Sequence, residues 1–151
     1  MATYKSFTEI PIWNEAVLFA ADIYKFCEKG NFRTDYRMKD QLRAAASSIS
    51  NNIAEGFEYG STKSFIQFLV YAKGSAGEVF NQLTILFKAE MILKNDYAFF
   101  SNRALDISKK LGGLIQYLRK KINSPIRQSA NPSITEGGNS PIRQSVNPPI
   151  Q

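Results

Sequence analysis

Between Phe65 and Leu86 the apolar residues Phe65, Leu69, Ala72, Ala76, Val79, Leu83 and Leu86 recur in steps of four and three. That spacing keeps one stripe on one side of a helix, facing a partner helix. The alternation returns in Phe100, Ala104, Ile107, Leu111, Leu114, Leu118 and Ile122. Asp96 lies near the start of this second segment and Arg119, Lys120 and Lys121 near its end, the polarity that a helix dipole favours. Two weaker segments precede these. One is expected to begin near Thr8, with Trp13, Ala16, Val17, Ala20, Ile23 and Cys27 inward, and to stop at Gly30 and Asn31. The other is expected to be capped by Thr34 and to run through Leu42, Ala45, Ala46, Ile49 and Ile53 to Gly56. A Tyr59-Gly60-Ser61-Thr62 turn then leads into the third segment. The second segment's core face is rich in alanine, which lets neighbouring helices approach closely. With short connections throughout, the pattern predicts an all-α, antiparallel up-down four-helix bundle over residues 1–123.

Composition changes abruptly at Ser124. Pro11 is the single proline before that point and five follow it. The segment SPIRQSANPSI, Ser124 to Ile134, returns as SPIRQSVNPPI, Ser140 to Ile150, across a polar linker from Thr135 to Asn139. A stretch so poor in large apolar residues cannot bury a core, so residues 124–151 are expected to form a disordered tail. The sixteen-residue period of that repeat fits no solenoid unit and reads as a duplicated extension.

The chain of 151 residues has no histidine and one cysteine, Cys27. Common zinc, haem and triad chemistries thereby lose their usual ligand or base, and no intramolecular disulfide can form. Cys27 reads as a small core residue. No apolar run approaches membrane-span length and no signal segment stands out at the N-terminus, so the cytoplasm is the expected compartment. The net charge of +6 favours contact with polyanions.

Some residues fit neither core nor plain surface. Ser48, Asn52 and Glu55 line one side of the second helix, and Gly74, Ser75 and Glu78 cluster on the third. Antiparallel packing would bring these sets together as an interhelical polar network that fixes register. The carboxylates Glu55 and Glu78 also invite a di-metal or acid–base reading, but bundle metal sites of that kind want Glu-x-x-His pairs. The expectation is no metal, no cofactor and no catalytic residue. The third helix carries surplus apolar residues off its stripe, Ile66, Phe68, Val70, Tyr71, Phe80 and Phe87. Of these Ile66, Phe68, Tyr71, Phe80 and Phe87 are expected to form a homo-oligomer interface, the alternative being that in a short bundle some of them fold back over the core. Basic residues form two groups: Lys29, Arg33, Arg37, Lys39 and Arg43, and Arg103, Lys109, Lys110, Arg119, Lys120 and Lys121. The bland reading of each is a solvated helix face.

The stretch QLRAAASSISNNIAEGFEYGS, Gln41 to Ser61, followed by FLVYAKGSAGEVFNQL, Phe68 to Leu83, resembles a family signature. It is that of the bacterial four-helix-bundle proteins first noticed in intervening sequences of large-subunit ribosomal RNA genes. The residues that carry the likeness are Gln41, Ala45, Ser48, Ile49, Asn52-Ile53-Ala54-Glu55-Gly56, Ala72, Gly74-Ser75, Glu78 and Gln82, with Trp13 in an Ile-Trp pair. It spans roughly Phe7 to Ile122 and leaves out the tail. The resemblance implies an antiparallel bundle, commonly a ring-like pentamer, with no known enzymatic activity. Relatives include accessory variability proteins of diversity-generating retroelements, pentamers whose basic surface binds RNA and a partner reverse transcriptase. This chain keeps Arg43 but has Ala44 where the family often has a second basic residue.

The leading expectation is therefore a non-enzymatic oligomeric bundle that binds structured RNA or DNA through Arg37, Lys39, Arg43, Lys109, Lys110, Lys120 and Lys121. The alternative is a protein-interaction scaffold, or accessory subunit of a reverse transcriptase, that uses the aromatic face of the third helix. An enzyme, third, would have to use Glu55, Glu78 or Cys27.

Overall fold

A computed structural model describes residues 4–30 and 32–124; Asn31 and the duplicated tail lie outside the described residues. Among the described residues, four α-helices follow a 3-10 turn at Phe7–Glu9: α1, Pro11–Cys27; α2, Tyr36–Glu58; α3, Thr62–Lys88; and α4, Lys94–Asn123. Among the described residues there is no strand. Successive helices run antiparallel. α3 packs along both α2 and α4, while α1 closes the bundle against α2 and, more sparsely, α4.

Local chemistry sets each boundary. Ser6 caps the 3-10 turn through Thr8 N–H, and the Phe7 ring meets Trp13 edge-on at 5.2 Å. α1 therefore starts at Pro11 and not at Thr8, since proline suits the first helical position, where its missing N–H has no helical partner. Past Cys27, Gly30 takes φ +77° and turns the chain. Phe32, fully buried, then anchors the connection, and Asp35 N–H donates to the Phe32 carbonyl at 2.9 Å. That turn places Asp35 at the head of α2, where its carboxylate accepts from Met38 N–H at 3.0 Å. The expected cap, Thr34, stands one residue too early.

α2 runs past Gly56 to Glu58; Gly60, at φ +73°, is the residue that ends it, and Ser61 caps α3 through Ser64 N–H. At the other end of α3, Met91 N–H reaches the Leu86 carbonyl and Glu90 N–H the Phe87 carbonyl, the two bonds of a Schellman stop. Glu90 sits at φ 58°, where glycine is the usual occupant.

Phe19, Ile23, Leu42, Ile49, Ile53, Leu69, Leu83, Leu86 and Leu111 are fully buried at the centre. Burying each stabilises the fold by about 1.5–3 kcal/mol before chain entropy is counted. The core-facing stripe of α1 differs from expectation: Ile12 and Phe19 are buried, while Trp13 and Val17 are only half-buried. In the last turns of α4, Ile115 and Leu118 are buried, with Leu114 half-buried and Ile122 exposed. The Asp22–Arg103 and Glu15–Lys110 pairs fix the α1–α4 register, so the end of α4 runs past the start of α1 and loses that wall. Among the described residues no helix is long and apolar enough to cross a membrane.

Candidate nucleic-acid interface

Tyr36, Lys39, Arg43 and Ser47 recur at helical spacing on α2 and line one side of its groove with α1, where Tyr24 and Glu28 stand opposite. Lys39 is 6% exposed, and its Nζ lies 3.1 Å from Glu28 Oε1. Arg43, itself half-buried, hydrogen-bonds that same Oε1 through Nη2. Two cations thus share one carboxylate oxygen, and the Glu28 side chain that supplies it is 61% exposed. Arg43 lies over the Tyr24 ring at 5.1 Å and Lys39 over the Tyr36 ring at 5.7 Å. Tyr24 accepts a hydrogen bond from Ser47 Oγ at 3.3 Å, and Tyr36 stands 72% exposed.

The electrostatics follow from this crowding. The Lys39 hydrogen bond, reinforced by Arg43, holds the Glu28 carboxyl below its usual pKa. Burial works against the Arg43 charge, yet Glu28 outweighs it and raises the guanidinium's pKa. Cys27, beneath them and fully buried, is pushed up by burial against the pull of Arg43 and stays a thiol. Arg43 Nε is buried with no hydrogen-bond partner among the described residues, so the guanidinium edge it shares with Nη2 is only half used.

The other sequence-predicted basic residues are placed elsewhere. Arg37 is exposed near the same end of α2. Lys110 reaches across to Glu15 at 2.8 Å and along α4 to Asp106 at 3.0 Å, and the Glu15 hydrogen bond raises its pKa. Its neighbour in the same seam, Arg103, pairs with Asp22 at 2.8 Å. Lys109, Lys120 and Lys121 are exposed, and Lys121 lies over the Tyr117 ring. Because α2 and α4 run in the same sense and begin at the same end of the bundle, Lys120 and Lys121 lie at the opposite end from Arg37. The structure does not bring all seven residues onto one patch.

The expected polar network forms in part. Ser75 Oγ donates to Ser48 Oγ at 3.0 Å across the α2–α3 contact, and Asn52 Nδ2 donates to Ser48 Oγ and its carbonyl. Glu55 and Glu78 are exposed and do not join; Glu78 accepts only from Gln82, at 3.4 Å along its own helix. Gly74 faces open space and is not the notch. The notch is Gly56, where an added Cβ would stand 2.5 Å from Phe68 Cβ. The helices are too close there for long side chains to meet between them, and the carboxylates turn to water.

Of the residues expected at an oligomer interface, Ile66, Phe80 and Phe87 pack on the protein's own core, and Phe87 stacks on Tyr97 at 4.6 Å. Phe68 closes on Gly56 and stacks with Tyr59 at 5.1 Å, while Tyr71 is exposed. At the end of the bundle that holds the α1–α2 and α3–α4 connections, a cleft of about 610 Å³ has an apolar floor of Phe26, Phe32, Met91, Ile92 and Phe100. Among the described residues no group of three or more acidic or cysteine side chains is arranged to hold a metal ion.

Helices in up-down order, and cations set along helix seams with no metal cluster among the described residues, define the class: an all-α four-helix bundle with a basic surface. The model of the 23S rRNA-intervening sequence protein family matches residues 8–113, and the chain belongs to that family. A protein of unknown function from the S23 ribosomal protein family of Bacteroides thetaiotaomicron, solved by crystallography, is similar in structure. It aligns with TM-score 0.64 and 29% identity over 70% of this chain and 98% of its own. No curated protein matches the chain.

The sequence reading missed Tyr24, Glu28 and Tyr36. Lys39 and Arg43 stand four apart on one helix face, which pointed to a line of charge. Their partner stands just past the end of α1, across a loop, where no periodic signal exists.

Proposed function

We infer that the protein is a non-enzymatic, homo-oligomeric helical bundle that binds structured RNA, with ribosomal RNA the class suggested by the family's name. The observation that carries this reading is the α1–α2 groove, where Lys39 and Arg43 face a single carboxylate beside two exposed tyrosines. Arg37, Lys109, Lys120 and Lys121, exposed and outside the ion pairs of the described residues, add a longer-range positive field. The field steers a polyanion toward the protein, and the groove supplies close contact. In a ring of copies, as the resemblance to pentameric relatives suggests, each groove repeats about the axis and the field adds.

The test is filter binding of ribosomal RNA fragments, with light scattering on a size-exclusion column to give the assembly mass. Retention that falls steeply with salt, by an oligomer, supports the reading. No retention at low salt, where phosphate contacts are strongest, sinks it. A second reading is an interaction scaffold or reverse-transcriptase accessory subunit. It is favoured by the exposed Tyr59 and Tyr71 rings on either side of Phe68. Loss of a co-purified protein partner in Tyr71→Ala, with RNA binding intact, would favour it.

A further inference from the structure

We propose that the Glu28 carboxylate holds the place of an RNA phosphate, and that an unpaired stretch of RNA binds the α1–α2 groove by displacing it. This rests on the RNA reading above and names the site and the form of RNA that it takes.

The first ground is the mismatch between the cations and their partner. Lys39 is buried, so its charge lies at the groove floor and a phosphate must enter the groove to meet it. It and Arg43 converge on Glu28 Oε1 alone. An arginine fork binds best to two oxygens at once, and here Nη2 is used while Nε, on the same edge, is buried without a partner among the described residues. A phosphate diester presents two non-bridging oxygens at the spacing of that edge. It could take Nη2 and Nε together and still leave a lone pair for Lys39 Nζ. Glu28, as placed, offers both cations Oε1 alone, so it balances charge while leaving half of the arginine edge unfilled.

The second ground is that the plug is the most exposed of the three side chains. Glu28 follows the last residue of α1, and its carboxylate makes no other hydrogen bond among the described residues, so the side chain can rotate into solvent while the backbone cap on Lys25 stays in place. The third is the pair of tyrosines. Tyr36 and Tyr24 stand beside the two cations with rings partly open to solvent. Aromatic faces next to backbone-binding cations suit bases that are free to unstack, which a continuous duplex does not offer. Phosphate in the cation pair and bases on the rings describe a loop or single strand.

The experiment measures fluorescence anisotropy of a short labelled oligouridine, and of a blunt RNA duplex, on wild-type and Glu28→Gln protein. Melting of both proteins is followed in inorganic phosphate and in chloride at equal ionic strength. Glu28→Gln is expected to bind oligouridine roughly tenfold more tightly, the scale of one charge-assisted bond that need no longer be broken. Inorganic phosphate is expected to raise the melting temperature of the variant well above its value in chloride, and to act on wild type far less. Should the variant fail to fold in chloride, recovery in phosphate supports the proposal and continued failure overturns it. A folded variant with unchanged or weaker oligouridine binding and no phosphate response also overturns it, leaving Glu28 a structural counter-ion. Equal preference for duplex overturns the assignment to unpaired RNA. If neither protein binds any RNA, the broader reading falls; RNA binding of equal strength by both removes only the displacement of Glu28.

Discussion

Toward α3, α2 presents Ser48, Asn52 and Gly56; toward α1 it presents Tyr36, Lys39, Arg43 and Ser47. The first seam is short-ranged: a serine pair at 3.0 Å and a glycine against the Phe68 side chain leave no room for charge. The second holds two cations to one carboxylate and keeps aromatic rings at its rim. The first seam is held by close contact, and the second carries one more positive charge than its carboxylate balances. A third seam, α1 with α4, calibrates the comparison, because Arg103 and Lys110 meet Asp22, Glu15 and Asp106 there and no positive charge is left over.

The largest effect is expected at the tight seam. Gly56→Ala forces α2 from α3 and should lower stability by about 2 kcal/mol or more in urea denaturation, with the RNA affinity of the folded fraction unchanged. Cys27, buried and held as a thiol, reports the same event from the other side of α2. Its alkylation should be slow in wild type and should speed up in Gly56→Ala by the factor that the drop in stability sets, about tenfold per 1.4 kcal/mol.

At the charged seam the readout should be binding. Lys39→Ala combined with Arg43→Ala should weaken RNA binding about tenfold or more at low salt. It should also flatten the log–log salt dependence by roughly 0.7 for each phosphate that the protein no longer neutralises. Lys110→Ala, in the balanced seam, should change RNA affinity by less than about threefold, since an exposed paired cation adds little beyond its share of the field. A weakening as large as that of the double variant would erase the distinction between the seams.

The smallest effect is acid dependence. Glu28 titrates lower folded than unfolded, where its value is near 4.5. Its contribution to stability is therefore complete above that value and drains as pH falls through the lowered folded one. Urea denaturation between about pH 6 and about pH 3 should show the stability gap between wild type and Glu28→Gln closing on acidification. A gap that widened would place the carboxylate's stabilising partners elsewhere.

How much of this could be read from the sequence depended on range. The stripes of α3 and α4 were legible because each keeps one period for many turns and is walled by helices along most of its length. α1 was misjudged in azimuth because apolar residues surround it, and Ile12 with Phe19 competes with Trp13 and Val17 for the inward face. Thr34 and Asp35 are both good caps, and the choice fell to the buried Phe32 anchor, a tertiary contact. Gly56 looked like a helix end because glycine usually is one. Its purpose is the approach of Phe68 from another helix. Lys39, Arg43 and Ser48 were singled out by residue type and spacing. Glu28 was invisible as a site residue, since an acid after a helix end carries no signal until the loop brings Lys39 against it.

The most direct measurement is anisotropy of a labelled ribosomal RNA fragment titrated with wild-type protein and with the Lys39→Ala, Arg43→Ala double variant, from about 50 mM salt upward. Saturable wild-type binding that weakens linearly on a log–log salt plot, and a folded variant that loses most of it, is the expected result. Equal binding by a folded double variant, or none by wild type at the lowest salt, would contradict the assignment of RNA contact to the α1–α2 groove.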